Sequence, residues 1–162
     1  MKALVTGGLG FVGSNLVDRL INLGWKVTVV DDLSSGKEEH KNDSAEYIID
    51  DFKYALQQPN EDIDVVFHLA AEARIQPSFE DPLHTCHNNS YGSAVVAEFA
   101  RLSNCKVVYA GSSSYYGGVY LNPYAFAKWQ GEEVFKMYSA VYNTSCGIAR
   151  FFNVYGPRNP LI

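Results

Sequence analysis

The stretch "VTGGLGFVGSNLV", residues 5–17, decides the fold. Its first residues close a short β-branched run, glycines fill its centre, and apolar residues then recur at helical spacing. The glycines satisfy both G-x-G-x-x-G and the related G-x-x-G-x-x-G. Either set allows a tight turn, a close approach of the backbone to a pyrophosphate, and close packing of the helix on the strand. The stretch therefore predicts a strand, a nucleotide-binding turn and a helix, with the turn formed by Gly7, Gly8, Gly10 and Gly13.

The rest of the chain repeats this rhythm of strand and helix. Continuously apolar runs alternate with helical stretches, which is typical of a parallel sheet covered on both faces. No repeat and no linker interrupts the pattern. The sequence thus predicts a single α/β domain over residues 1–162, a doubly wound parallel sheet of the Rossmann type with helices on both faces. The predicted strands are 2–6, 26–30, 46–49, 64–70, 106–110 and 146–150, and the clearest helices are 85–102 and 122–142.

Composition and charge exclude several classes of protein. The chain is 47% hydrophobic and 19% charged, as globular proteins are, and no segment approaches a membrane span. A net charge of −5 with no basic run argues against a nucleic-acid partner. The three widely spaced cysteines fit reduced thiols, so we expect a cytoplasmic protein. Cys86 lies beside His84 and His87, but no second pair stands at ligand spacing, so no metal site is predicted.

Two acidic residues follow the second predicted strand. Asp31 and Asp32 come about 20 positions after the glycine turn, the place where dinucleotide-binding folds hold the adenosine ribose. A carboxylate there accepts hydrogen bonds from both ribose hydroxyls and repels a 2′-phosphate, and no arginine follows to hold such a phosphate. The register favours Asp31 as the ribose ligand, and NAD is preferred over NADP.

Several short segments spread along the chain carry a family resemblance. They are "TGGLGFVG", "DDLSSG" (31–36), "DVVFHLAA" (64–71), "NNSYGS" (88–93), "SSSYYG" (112–117), "YAFAK" (124–128) and "RFFNVYGPR" (150–158). On these segments the chain resembles the extended short-chain dehydrogenase/reductase family, most of all the sugar-nucleotide epimerase/dehydratase branch that includes UDP-glucose 4-epimerase. Because they occur in family order over nearly the whole chain, they are far more specific together than any one alone.

The resemblance implies an active site in the loop and helix at 110–128. Tyr124 and Lys128 share one face of a helix at i, i+4, although this spacing alone is a weak signal. A tyrosine titrates near ~10, so a base at neutral pH needs its pKa lowered by about three, of which a nearby ammonium supplies about 1–3. By resemblance Ser112, Tyr124 and Lys128 are the catalytic residues, and Lys128 also holds the nicotinamide ribose.

The resemblance implies further contacts. Asp51 and Phe52 stand where the family contacts the adenine, and Ser113 and Asn153 stand near the sugar. His68 is expected to be a satisfied buried histidine, and Glu132 and Glu133 to form a solvated helix face. Besides Tyr124 and Lys128, the cofactor-binding residues implied by resemblance are Gly7, Gly10, Phe11, Val12, Gly13, Asp31, Asp32, Ser35, Gly36, Asp51, Phe52, Leu69, Ala70 and Ala71.

The residues after Ser112 bear on which reaction the family resemblance implies. The family's 4,6-dehydratases place an acid pair there and its decarboxylases tend to keep a carboxylate, whereas this chain has Ser113 and Ser114. Serines cannot perform that acid–base work, which leaves NAD-dependent 4-epimerisation of a nucleotide sugar, with a UDP-sugar favoured. Two alternatives stay open: a catalytically idle NAD-binding module or redox sensor, and a simple NAD-dependent reductase of a smaller substrate.

The length of the chain departs from the family pattern. Family members continue for about as long again beyond "GPRNPLI", and that part carries most of the sugar-nucleotide pocket. The substrate domain is therefore expected to be absent, so the chain is a fragment, a truncated product or a minimal protein. The resemblance also implies a homodimer through the helices at 90–100 and 122–142.

Overall fold

A six-stranded, all-parallel sheet forms the centre of the protein, in a computed structural model that describes residues 1–160. The strand order is β3-β2-β1-β4-β5-β6. Every predicted strand is found, and the largest difference is at 64–70, where the ladder covers only Val65–His68. The strands are β1 Lys2–Thr6, β2 Lys26–Asp31, β3 Glu46–Ile49, β4 Val65–His68, β5 Lys106–Ser112 and β6 Cys146–Phe151.

Seven α-helical segments lie among residues 1–160. The helix predicted at 85–102 is not uniform, because the π-helical segment His87–Tyr91 lies inside it. The helix predicted at 122–142 begins at Pro123, with the Asn122 side chain accepting a 2.8 Å hydrogen bond from the Ala125 N–H. The helices are α1 Phe11–Asn22, α2 Phe52–Ala55, α3 Ile75–Glu80, α4 Pro82–Cys86, α5 Gly92–Ser103, α6 Ser114–Gly117 and α7 Pro123–Tyr142.

The two faces of the sheet carry different helices. Alternate residues of a strand point to opposite faces, so neighbouring residues of β1 enter different cores. Val5 packs in one core with Val17 of α1, whereas Leu4 packs in the other with Val96 of α5 and Phe135 of α7. Helices therefore cover both faces, and the predicted doubly wound architecture is confirmed.

The strand order places a crevice at the centre of the sheet. β1 lies between β2 and β4, so the chain leaves β1 toward one edge and later returns to its other side. In open parallel sheets, ligands bind beyond the carboxyl ends of the strands at such a switch point. The glycine turn after β1 and the loop after β4 meet there. Within residues 1–160, no helix combines the length and apolarity needed to cross a membrane.

Candidate active site

The glycine turn after β1 is a cradle that side chains would fill. Gly7 has φ +70°, and its N–H donates a 2.9 Å hydrogen bond to the Val30 carbonyl. A Cβ at Gly7 would lie 2.8 Å from the Ala70 nitrogen, and a Cβ at Gly13 would collide with the Gly7 carbonyl oxygen. The glycines thus keep the start of α1 close to β1 and β4, and leave the N-terminus of α1 open toward the crevice.

A cleft of about 1070 Å³ extends from this turn along the carboxyl edge of the sheet. Most of the predicted cofactor residues line it. Four of them, Gly36, Asp51, Tyr124 and Lys128, do not. The predicted residues that form its walls are Gly7, Gly10, Phe11, Val12, Gly13, Asp31, Asp32, Ser35, Phe52, Leu69, Ala70 and Ala71. This lining, continuous from β2 to β4, fits an extended molecule with a phosphate group at the glycine turn.

The Asp31 carboxylate is fixed at one end of the cleft. One oxygen accepts a 2.9 Å hydrogen bond from the Leu9 N–H, and the other accepts a 2.9 Å hydrogen bond from the Leu33 N–H. A Cβ at Gly36 would lie 2.6 Å from the second oxygen, so Gly36 makes room for this carboxylate. Asp32, by contrast, is exposed and accepts hydrogen bonds from the backbone and hydroxyl of Ser34. The two neighbouring acids therefore have different environments, and Asp31 is the preorganised one.

Asp51 stands behind the cleft rather than in its wall. It caps α2 by accepting a hydrogen bond from the Lys53 N–H, and one of its oxygens lies 2.8 Å from the buried Lys53 ammonium. Burial raises the pKa of Asp51, but the hydrogen bonds and charge of Lys53 outweigh it and hold the pKa below its ordinary value. Lys53 also donates to the Asn88 side chain at 2.6 Å, and Asn88 does line the cleft.

The Lys128 side chain extends from α7 to the end of β5, one strand away from the cleft. Only 6% of it is exposed, and its ammonium donates a 3.0 Å hydrogen bond to the Ala110 carbonyl. Burial lowers the pKa of Lys128 to about 8, although the nearby Glu132 carboxylate partly raises it. Tyr124 is one helical turn earlier and half-buried, with its backbone N–H on the Ser78 hydroxyl at 3.2 Å. Within residues 1–160, the Tyr124 hydroxyl makes no hydrogen bond to a protein group.

Ser112 ends β5 beside these residues. It is buried, and its hydroxyl oxygen lies 3.0 Å from the Ser114 hydroxyl and accepts a 3.2 Å hydrogen bond from the Ser114 N–H. The Ser113 N–H donates to the Phe151 carbonyl of β6 at 2.9 Å, so the turn after Ser112 is held in place. Asn153, also predicted near the sugar, is exposed just beyond β6. Ser112 and the Lys128 ammonium, which is bonded to Ala110, thus both lie at the end of β5, outside the lining of the cleft.

The prediction for His68 is confirmed. The ring is 1% exposed at the end of β4, and its Nδ1 lies 2.8 Å from the Thr6 hydroxyl oxygen. Phe52 and Tyr109 flank it, with ring centroids 5.2 Å and 5.7 Å away. Burial, followed by the charge of Lys128, lowers the pKa of His68 to about 3. The neutral His68 imidazole therefore links the ends of β1 and β4 beneath the site.

The prediction for Glu132 is wrong. Glu133 is exposed as expected, but Glu132 is 1% exposed and points into the protein. Arg150 of β6 donates to both of its carboxylate oxygens, with N–O distances of 3.1, 3.1 and 2.8 Å. The sequence did contain a signal for this burial. Glu132 follows Lys128 at i+4, so the two residues share the inward face of α7.

Several residues of the cleft were not predicted. Glu72 and Arg74 enter it from the loop after β4, and Asn89 fixes that loop through 2.8 and 2.9 Å hydrogen bonds with the Glu72 backbone. Arg158 reaches the cleft from the chain after β6 and forms a 2.8 Å ion pair with Asp18 of α1. Arg158 ends the family segment 150–158, but that segment alone does not show that its side chain reaches the cleft. Glu72 and Arg74 lie in no such segment, and loops that are distant in sequence bring the three side chains together.

Comparisons with known proteins agree with this geometry. The sequence profile described as the NAD dependent epimerase/dehydratase family matches residues 3–161. A UDP-glucose 4-epimerase from Mycolicibacterium smegmatis is 36% identical over 98% of this chain and 58% of its own length. A UDP-N-acetyl-alpha-D-glucosaminuronate decarboxylase from Bacillus cytotoxicus is 30% identical over 97% of this chain and 56% of its own length. The chain thus spans little more than half the length of the curated relatives it matches.

Solved structures show the same likeness. A UDP-glucose 4-epimerase from Thermotoga maritima, crystallised with UDP-glucose, has a TM-score of 0.89 and 32% identity over 98% of this chain and 57% of that one. A UDP-glucose 4-epimerase from Thermus thermophilus in complex with NAD has a TM-score of 0.87 and 30% identity over 98% of this chain and 57% of that one. Both likenesses cover nearly the whole of this chain.

Proposed function

The chain belongs to the NAD dependent epimerase/dehydratase family, and we propose that it binds NAD in the cleft and acts on nucleotide sugars as a 4-epimerase. The observation that carries this proposal is the pairing of two arrangements at one edge of the sheet. The glycine cradle and fixed Asp31 fit a dinucleotide, and the buried Lys128 with Tyr124 one turn earlier lies one strand away. The solved relatives with NAD and with UDP-glucose support both halves of the proposal.

Two parts of the cleft with different electrostatic character suit two parts of the cofactor, the phosphates and the adenosine ribose. The N-terminus of α1 would hold the pyrophosphate at the glycine turn, where a side chain at Gly7 or Gly13 would fill the space. The Asp31 carboxylate is aligned by two backbone N–H groups and would accept hydrogen bonds from the adenosine ribose. A 2′-phosphate would bring a second negative charge against it, so NAD is bound in preference to NADP.

Tyr124 and Lys128 perform the proton chemistry. When bound, NAD supplies a hydride acceptor and donor for carbon 4 of the sugar. Tyr124 takes the proton of the 4-hydroxyl and later returns it to the same oxygen, after the 4-keto sugar has rotated so that hydride would return to carbon 4 from the other face. Its hydroxyl has no hydrogen-bond partner within residues 1–160, so it is available to a substrate. Lys128 would use its remaining N–H groups to hold the nicotinamide ribose.

Ser112 assists the same sugar oxygen. Its hydroxyl sits at the end of β5, fixed by the Ser114 N–H, and we assign it a hydrogen bond to the reacting oxygen. Ser113 and Ser114 follow it without a carboxylate, so the acid–base pair of an elimination is missing from this turn. This favours epimerisation over dehydration. Ser113 and the exposed Asn153 remain candidates for substrate contact.

The helices of the predicted dimer present apolar side chains to solvent. Tyr120, Phe126, Trp129 and Met137 surround a shallow groove on the outer side of α7, and Met137 is 45% exposed. α7 packs beside α5, so the two helices form one continuous surface. A second copy related by a two-fold axis would cover this surface with the same residues. We therefore propose a homodimer through α5 and α7.

Interconversion of UDP-glucose and UDP-galactose by the purified chain with NAD tests the proposed activity. We expect either sugar nucleotide to yield a mixture of both, with no net consumption of NAD. If the chain binds NAD but leaves UDP-, GDP- and dTDP-sugars unchanged, it is an idle NAD-binding module instead. Net oxidation of a small alcohol with stoichiometric NAD consumption would identify the simple-reductase alternative.

A further inference from the structure

A buried ion pair lies directly behind Lys128, and the proposed reaction does not use it. Glu132 follows Lys128 by one helical turn and is 1% exposed, while the Arg150 side chain from β6 is 22% exposed. A buried carboxylate is costly unless a cation and hydrogen bonds compensate it, and Arg150 supplies both. The pair also touches β5, because a Cβ at Gly111 would lie 2.8 Å from a Glu132 oxygen.

The geometry keeps Glu132 from capturing the Lys128 ammonium. Arg150 donates from Nε and Nη2 to both Glu132 oxygens, so the carboxylate is turned toward β6. Within residues 1–160, the Lys128 ammonium donates one hydrogen bond, to the Ala110 carbonyl. An ammonium has three N–H donors, which leaves two for a ligand.

We propose that Glu132 and Arg150 are positioning residues for Lys128. Glu132 supports the positive charge of Lys128 from the adjacent helical turn. Arg150 holds both Glu132 oxygens, so that the Lys128 N–H groups stay free for a ligand. The inference rests on the proposed function for its purpose, since Lys128 must keep its charge and its free N–H groups to bind the ribose.

The size of the charge effect is sufficient to matter at neutral pH. Burial lowers the pKa of Lys128 to about 8, and Glu132 opposes that shift. With a pKa of about 8, about nine in ten Lys128 side chains are charged at pH 7, and a further fall of about one would leave about half. Loss of Glu132 would therefore remove much of the positive charge at Lys128.

The other groups around Lys128 do not replace Glu132. Its nearest titratable neighbours besides Glu132 are Tyr124 on the same helix, Tyr109 of β5, whose ring centroid is 5.1 Å from the ammonium, and the neutral His68 of β4. Arg150 of β6 lies beyond Glu132. Within residues 1–160, the groups that the neighbouring elements place against this part of α7 and its ion pair are uncharged: Ser78 of α3, Ser90 of the π-helical segment, Ser93 of α5, and Tyr115 and Tyr116 of α6.

Arg150 also links this pair to the turn after Ser112. Its Nη1 donates a 3.0 Å hydrogen bond to the Tyr116 hydroxyl, and its guanidinium lies 3.6 Å from the centroid of the Tyr115 ring. Both tyrosines belong to α6, which begins directly after Ser113. One guanidinium therefore connects α7, β6 and α6, the elements around the proposed catalytic residues.

The test is a pH titration of the Lys128 amine by NMR, with isotope-labelled lysine side chains and no cofactor or substrate added. The Lys128 signal is identified by its loss in Lys128→Met. We expect a midpoint near the pKa of about 8 in the unchanged protein. Glu132→Gln should lower the midpoint by about one pH unit. Glu133→Gln, which alters the exposed neighbour on the same helix, should leave it in place.

For a second variant, we expect the titration midpoint of Lys128 to shift in the opposite direction. Arg150→Gln removes the competing cation and frees a Glu132 oxygen to turn toward Lys128, so the midpoint should rise. Arg150→Gln also provides a test if Glu132→Gln fails to fold. The amide of the introduced glutamine can still donate a hydrogen bond to Glu132, so we expect this variant to fold. An unchanged Lys128 midpoint in the folded variants, or an equal shift in Glu133→Gln, would overturn the proposal. Since the titration needs no ligand, it fails or succeeds independently of the proposed activity, which the interconversion assay tests.

Discussion

The Lys128 ammonium lies 3.0 Å from the Ala110 carbonyl oxygen, so α7 is joined to the end of β5 by a buried charged group. This bond orients the ammonium at the strand end where Ser112 also lies. Burial makes the charge unfavourable, and the protein retains it within hydrogen-bonding reach of a neutral backbone oxygen. The buried charge of Lys128 therefore costs stability, as the role proposed for it would require.

Lys128→Met should stabilise the folded chain at neutral pH. The pKa of Lys128 is about 8 in the folded protein and near 10.5 when unfolded, so below pH 8 the charged lysine destabilises folding by about 3 kcal/mol. That cost disappears as the pH rises from 8 to 10.5. Urea unfolding of both proteins at several pH values should show an advantage for Lys128→Met that shrinks over this interval. A variant less stable at neutral pH would contradict the account.

His68 should make the fold sensitive to acid. Its pKa is lowered from 6.5 to about 3, so between these values the unfolded chain binds a proton that the folded chain does not. The free energy of unfolding should therefore fall by about 1.4 kcal/mol per pH unit below 6.5. His68→Gln lacks this proton and should lose that part of the slope. Parallel pH curves for the two proteins would show that His68 is not the responsible group.

Asp31 should determine the preference for NAD. In Asp31→Asn the amide retains an acceptor for the backbone of the glycine turn but loses the charge that repels a 2′-phosphate. Calorimetric titration should show a smaller difference between NAD and NADP affinity than in the unchanged chain. Asp32→Asn is the matched control, because Asp32 is exposed and bonded to Ser34. The interpretation fails if the unchanged chain binds both cofactors equally, or if the control narrows the difference as much.

Met137→Glu should weaken the proposed dimer. The substitution places a charge within the apolar surface of α7, which a second copy would have to bury. Sedimentation at tens of micromolar protein should show a dimer for the unchanged chain and a shift toward monomer for the variant. Leu23→Glu is the control, since Leu23 is similarly exposed at the end of α1, which packs on the other face of the sheet. Monomer alone in the unchanged chain would rule out this interface.

The sequence predicted what depends on local pattern. The strands could be predicted because each is a short apolar run. The nucleotide-binding turn could be predicted because its glycines stand at a characteristic spacing, and the structure has no room for a side chain at Gly7 or Gly13. The i, i+4 spacing from Lys128 places Glu132 on the inward face of α7, but its partner Arg150 comes from β6 and no local pattern pairs the two residues. The π-helical segment within the predicted helix has no residue pattern that marks it. Long-range pairing and loop placement were thus the parts that sequence could not supply.

The role of Tyr124 is the centre of the account. Tyr124→Phe removes the hydroxyl to which we assign the proton transfer but retains the ring and leaves Lys128 and the cleft intact. The direct measurement is the rate at which reduced cofactor forms when a UDP-sugar is mixed with the NAD-loaded chain, compared between the unchanged protein and Tyr124→Phe. We predict that the rate falls by about 10²–10⁴ while NAD affinity stays the same. An unchanged rate in Tyr124→Phe would contradict the account, because another group would then be the base.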